Sequence, residues 1–319
     1  MATVSQLRLI EDFSKFDIGD FDVAELQEEI NGMCRPRSDP LDVSRDLRLL
    51  ASKDLHETPE IARRNIDKLR KMIQDDETLN ARLDDIFLSA FLRARKHDVD
   101  KAFTCIKNYY EFKYRYPNFY TYCLPHECSE PYKMGHFGAI PGHDRFGRKL
   151  CVVIPSKLDL DRSPLHETFQ MGTTNFELNL EDPDIQIAGI AVIVDLKELT
   201  IMQQARLITP SLAWHLAIIV QDKMPIRMKA VHVVNQPFYF NAIYAVFRPF
   251  LKKKLRKRIF LHGKDMSSLH KHIDPEMLPE DWGGKKPPYT NRCMRAFITM
   301  NEHKFKEWKQ YSYVEPEGK

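Results

Sequence analysis

The stretch Pro225 to Arg258, PIRMKAVHVVNQPFYFNAIYAVFRPFLKKKLRKR, limits what this chain can fold into more than any other. It sets a strand, an apolar helix and a dense cationic segment side by side. The β-branched run Met228 to Val234 reads as the strand. Asn235-Gln236-Pro237 reads as a helix start, with Asn235 as the cap and Pro237 near the first turn. From Phe238 to Phe247 every residue except Asn241 is apolar or aromatic. An ordinary surface helix carries one apolar stripe; a helix apolar all round is buried on every side or meets a second apolar phase. Pro249 ends the run, and Leu251 to Arg258 then carries six cations in eight residues (Lys252, Lys253, Lys254, Arg256, Lys257, Arg258). An apolar helix beside a cationic one suits docking on an anionic membrane. The plainer alternative is a core helix followed by a solvated charged face.

At 319 residues the chain can hold one large domain or two modest ones. A hydrophobic content of 43% with 29% charged residues is that of a soluble globular protein. Net charge is only +3, so any anion-binding role has to come from local clustering. No apolar run approaches the length of a membrane span, and the N-terminus lacks the apolar core of a signal peptide. The six cysteines are scattered without a CxxC pair and read as reduced thiols of a cytosolic protein.

The first 20 residues show no regular pattern. Phe21 to Ile30 is a short helical segment, and Arg35 to Pro40 reads as a linker. Helical periodicity then runs from Thr58-Pro59, over Leu83 to Arg95, and over Val99 to Tyr114. This predicts an all-helical region over residues 1–125. Beyond Pro125 the texture changes. Lys149 to Pro155, Ala188 to Asp195 and Met228 to Val234 are short β-branched runs, with Ile259 to Leu261 a further short one. The helical segments Pro164 to Leu180 and Thr200 to Asp222 lie between them. Such alternation predicts an α/β domain with a largely parallel sheet over residues 126–290. An amphipathic helix, Asn291 to Trp308, completes a C-terminal part over 291–319.

Catalytic signatures are missing from the sequence. There is no G-x-S-x-G elbow, no H-E-x-x-H and no P-loop, and the twelve histidines are spread without metal-ligand spacing. The reading is of a protein that is not an enzyme and holds neither metal nor cofactor. His232, His262 and Asp195 read as structural hydrogen-bonding groups. Apolar positions instead share faces. On Pro164 to Leu180, Phe169, Gly172, Phe176 and Leu180 fall at i, i+3, i+7 and i+11. Ile190, Val192 and Val194 alternate to one side of a strand. Ile208, Leu212, Ile219 and Val220 come from the next helix, and Met228 and Val231 from the following strand. They form a packed core or the wall of an apolar cavity.

Several motifs occur in a fixed order: FLRARKHDVDKA from Phe91, DRFGRKL from Asp144, GIAVIVDL from Gly189, ITPSLA from Ile208, PIRMKAVHVVNQPFYF from Pro225, RPFLKKKLRKRIFLHG from Arg248 and LPEDWGG from Leu278. In this set, from about Thr58 to Gly284, the chain resembles the CRAL-TRIO lipid-transfer family, and within it the tocopherol-transfer and retinaldehyde-binding group. Two positions depart from the family pattern: His97 stands where an aromatic is usual, and Glu198 occupies a glycine position. The resemblance implies a lipid-binding domain with helices on one face of a sheet, an internal apolar cavity and a movable helix as its lid. The ligand wall would be Phe169, Gly172, Phe176, Ile190, Val194, Ile208, Ile219, Val220, Met228 and Val231. The lid would carry Phe238, Tyr239, Phe240, Ile243, Tyr244, Val246 and Phe247. The phosphoinositide-binding positions of the group fall on Arg95, Arg227, Lys254 and Arg258.

The function expected is a cytosolic, monomeric carrier of one tocopherol-, retinoid- or carotenoid-like lipid. It would exchange that ligand at phosphoinositide-containing endosomal or plasma membranes. The alternative is a trafficking adaptor that reads phosphoinositide and merely retains a lipid. Nucleic acid is not an expected partner, because the basic run lacks interleaved base-stacking aromatics.

Overall fold

The computed structural model describes residues 23–315; the unpatterned first 20 residues lie outside them. The helical part consists of α1 (Val23–Asn31), α2 (Arg45–Leu55), α3 (Pro59–Gln74), α4 (Asp85–Ala94) and α5 (Val99–Arg115). Most begin at a side-chain cap that satisfies an otherwise orphaned N–H. Thr58 accepts from Ile61 N–H, Asp84 from Phe87 N–H and Asp98 from Lys101 N–H. The stripe Ile66, Leu69 and Ile73 of α3 is buried against Phe87, Phe91, Ile106 and Tyr109. Helix α2 had no counterpart in the sequence reading. It buries only Ala51 and Leu55, too narrow a stripe for periodicity to reveal.

The second half is a five-stranded sheet in the order β1 (Phe137–His143), β2 (Lys149–Val153), β3 (Ile190–Asp195), β4 (Met228–Val234), β5 (Ile259–Gly263). Strand β1 runs antiparallel to β2; β2 to β5 are mutually parallel. Register aligns Cys151, Val192, Val231 and Ile259 in one row across the sheet. A second row holds Val153, Val194 and Val233. Because side chains alternate along a strand, Leu150, Val152, Ala191, Ile193, Ala230 and Val234 face the other way. There they pack with Leu269, Ile273, Leu278 and Trp282. The face without long helices is therefore covered by the short helix Met266–His270 and the turns after it.

Helices α6 (Leu165–Asn179), α7 (Pro183–Ala188), α8 (Ile201–Leu207), α9 (Pro210–Ile218) and α10 (Phe240–Phe247) complete the domain, with α11 (Arg292–Met300) and α12 (Glu302–Trp308) packing back through Met294, Phe297 and Phe305.

Five expectations are corrected. Thr200 to Asp222 is not one helix. It breaks at Thr209-Pro210, where Thr209 caps α9 and the Pro210 ring cannot continue α8, and it ends in a π-turn over Ile219–Lys223. Ala188 belongs to α7 and not to the strand. Gly189 separates the two at φ +85°, where a Cβ would meet Arg227 O at 2.3 Å. Asn235 does not cap the apolar helix, which starts three residues past Pro237, at Phe240. Asn235 sits at φ +55° and donates from its amide to Asp195 Oδ1 instead (2.8 Å). Asn301 divides the C-terminal helix in two. Finally, Cys123 and Cys128 are paired as a disulfide, their Cα atoms brought to 5.9 Å by the turn between them, while Cys34, Cys105, Cys151 and Cys293 are buried free thiols.

Candidate functional site

The cavity-facing rows of the sheet do not close against the helices. Between them and α6, α8, α9 and α10 lies a cavity of about 400 Å³. Its size falls in the range of sites that enclose a drug-sized molecule. No charged side chain lines it. Of the residues named from sequence, Phe169, Gly172, Phe176, Val194, Ile208, Ile219, Val220, Met228 and Val231 line this space. Ile190 does not. It starts β3 opposite Lys149 and lies in the packed core, whereas the cavity opens over the later residues Val192 and Val194.

Gly172 shows why space persists here. A Cβ placed on it would meet nothing within 4 Å. Gly172→Leu is therefore expected to stabilise the ligand-free protein by up to about 1 kcal/mol of recovered helix propensity, raising its melting temperature, while filling the cavity. A lowered melting temperature would mean that this face is closed packing.

Phe240, Ile243, Tyr244 and Phe247 roof the cavity at i, i+3, i+4 and i+7, one face of α10. Phe238, Tyr239 and Val246 are not part of the roof. The first two precede the helix, and Val246 lies off its inner face. Phe238 is 98% exposed, and Ile201 and Met202 at the start of α8 are 79% and 76% exposed. Tyr239 accepts a hydrogen bond from Gln204 Nε2 of α8 (2.8 Å), so the exposed apolar groups of the two segments flank one polar contact. At the far end of α10, Gln221 in the π-turn donates to Phe250 O (3.0 Å) and accepts from Lys252 N–H (2.6 Å). Lys252 also pairs with Asp222. The roof is thus held by apolar contact along its length and by polar contacts at its two ends.

A second feature lies on the other side of the sheet's end. Arg95, at the C-terminus of α4, reaches Cys105 Sγ (3.0 Å); Arg227 donates to Ile187 O (2.6 Å), and Arg258 donates to Met228 O. Lys254, on the turn Lys253–Arg256, completes the group. Its amine is pulled below the usual lysine range, first by partial burial and then by Arg258, Lys96, Arg227 and Arg95. Burial, opposed by Asp54, brings the Arg227 guanidinium down to about 10. The four positions named from sequence therefore lie near one another. Lys96 and Lys229 join them. Sequence reasoning passed over Lys96, although it directly follows Arg95. The acid that meets this group is Asp54 of α2, 3.2 Å from Lys229 and 3.8 Å from Arg227. Its carboxyl is desolvated, yet the hydrogen bond from Lys229 and the nearby cations hold it below the usual range. The group therefore carries an excess of positive charge, partly removed from water. Among the described residues no cluster of His, Cys, Asp and Glu is arranged to hold a metal ion, and no helix is long and apolar enough to cross a membrane.

Comparison with known proteins assigns this fold to a family. The family model described as the CRAL/TRIO domain matches residues 133–284. Clavesin-2 of Homo sapiens is 35% identical over 266 residues, covering 82% of this chain and 80% of that protein. Alpha-tocopherol transfer protein-like of Mus musculus is 32% identical over 288 residues, covering 89% of this chain and 83% of its own length. Clavesin-1 of Mus musculus is 36% identical over 244 residues, with 75% and 68% covered. The chain belongs to the CRAL/TRIO family.

Proposed function

We propose that this protein is a carrier that encloses one hydrophobic lipid in the cavity and exchanges it at phosphoinositide-bearing membranes, with α10 opening as the lid. It would act as a peripheral, monomeric protein of the cytoplasm. The observation that carries this reading is the uncharged cavity of about 400 Å³ under a short apolar helix, in a chain that also gathers a cluster of cations around Lys254. Burying about 400 Å² of an apolar ligand contributes on the order of 10 kcal/mol at roughly 25 cal/mol per Å². That suffices for retention without any charged contact. Phe238, Ile201 and Met202 supply exposed apolar groups that would enter the bilayer as the polar contacts at the ends of α10 give way. The kinship to a protein named for alpha-tocopherol transfer makes tocopherol the first ligand to test.

The experiment separates the two sites. Each cation near an anionic surface contributes about 1 kcal/mol. Lys254→Ala combined with Arg258→Ala is expected to weaken binding to phosphoinositide vesicles by roughly 30-fold, about 2 kcal/mol. Tocopherol binding in detergent should stay unchanged. Vesicle flotation and fluorescence titration read the two affinities. Equal loss of both would sink the two-site reading, and unchanged vesicle binding would remove the cation cluster from it.

A further inference from the structure

Among the described residues, His136 is the one histidine whose two ring nitrogens are both buried without a hydrogen-bond partner. It is 3% exposed, and it lines the apolar cavity. Its backbone is fixed just ahead of β1, where its carbonyl accepts from Ile154 N–H (2.7 Å). Other buried histidines of this chain have found partners: His215 meets the Tyr120 hydroxyl at 2.7 Å, and His232 meets His262 at 3.0 Å. An imidazole buried with both nitrogens unsatisfied is costly, and each such group in a folded protein calls for an explanation. We propose that His136 is the polar anchor of the cavity and selects a neutral lipid that carries a hydroxyl group.

The surroundings narrow the ligand's chemistry. Burial alone pushes the His136 imidazole down to about 4, so at neutral pH it is uncharged, with one N–H donor and one bare nitrogen acceptor. No cation lines the cavity to meet a carboxylate, and no carboxylate lines it to meet an amine. A buried ionised headgroup would therefore stand uncompensated. A hydrocarbon would leave the imidazole as it is. A ketone or aldehyde can only accept, whereas a hydroxyl both donates and accepts and so matches either ring nitrogen. Thr168 Oγ1 on α6 is the other buried atom lining the cavity without a partner, and it offers the ligand a second polar contact.

This assignment rests on the carrier reading, and its test keeps the two apart. Tocopherol, retinol and a sterol are each compared with their own methyl ether, which keeps the apolar body but cannot donate a hydrogen bond. For at least one pair, the wild-type protein is expected to bind the alcohol about tenfold more tightly than the ether. His136→Phe should bring that ratio close to one while leaving ether binding intact, which also shows that the variant is folded. His136→Gln, which restores a donor and an acceptor, should recover most of the preference. Equal affinity of wild type for alcohol and ether, or an unchanged preference in His136→Phe, would overturn the anchor and leave the carrier standing. Failure of all six compounds to bind would overturn the carrier reading, and the anchor with it.

Discussion

Arg93→Ala is expected to destabilise this protein by about 3–5 kcal/mol, the range found when one partner of a buried ion pair is removed. Arg93 is 1% exposed. Its Nε and Nη2 donate to the two oxygens of Glu57 at 2.8 and 2.7 Å, Nη2 also to Pro40 O at 2.7 Å, and Nη1 to Gln186 Oε1 at 2.8 Å. One guanidinium thus joins α4 to Glu57, two residues ahead of α3, to the Arg35–Pro40 stretch and to α7 beside the sheet. Truncation leaves Glu57 buried, with only His97 as a neighbour at 2.8 Å. Burial alone would raise the Glu57 carboxyl, but hydrogen bonds from Arg93 and His97 outweigh it and hold the group at about 2. A depressed carboxylate stabilises the fold above its unfolded pKa, and that contribution is lost as pH falls toward 2. Arg93→Lys should fall between, since an ammonium cannot form the bidentate fork. Urea denaturation at pH 7 reads the effect. A loss below about 1 kcal/mol would show that the buried pair is not what holds these elements together.

The same network shows where sequence reasoning succeeds and where it stops. Residues of the cavity wall were legible because period two and period 3.6 fix which side chains share a face. Ile190 obeys the alternation and still misses the cavity, because alternation fixes the face of a strand and not how far along it the space extends. The break at Thr209-Pro210 carried its own signal, a capping residue before a proline. The later start of α10 did not: Asn235 has the residue type of a cap, but its amide is drawn to Asp195, forty residues earlier. The proximity of Arg95, Arg227, Lys254 and Arg258 was legible through the family resemblance. Lys96 and Asp54 join them only through tertiary structure, since α2 and the α4–α5 turn have no local reason to meet β4. Nothing in the sequence marks His136, whose significance lies entirely in the partners it lacks. Cys123 and Cys128 were hidden by a five-residue spacing that matches no redox or metal pattern.

Acidification from pH 7 to pH 5 is expected to lower stability by about 4 kcal/mol through two histidines. His136 and His232 are 3% and 0% exposed. Burial pushes His136 down to about 4. Burial, and then repulsion from His262, His272 and Arg148, pushes His232 down to about 3. The unfolded chain binds a proton at each near 6.5, while the folded chain does not until far lower. Stability therefore falls with pH below 6.5 and levels off only below the folded values. At pH 5 the cost is about 2 kcal/mol for each group, at 1.36 kcal/mol per pH unit. Glu57 does not contribute in this window, because its carboxyl stays ionised. The effect is also located. His232 of β4 stacks on Phe260 and contacts His262 of β5, and His262 meets Ser268 Oγ at 2.9 Å. The strands on either side of this contact are those that run into and out of α10, so protonation would loosen the frame on which the roof of the cavity is hung. Denaturation curves at half-unit steps between pH 7 and 5 should show the decline, and His136→Phe with His232→Phe should make it shallower, the remainder coming from His143, which burial also pushes down to about 4. Stability independent of pH across that interval would mean that both imidazoles titrate in the folded protein as they do in water.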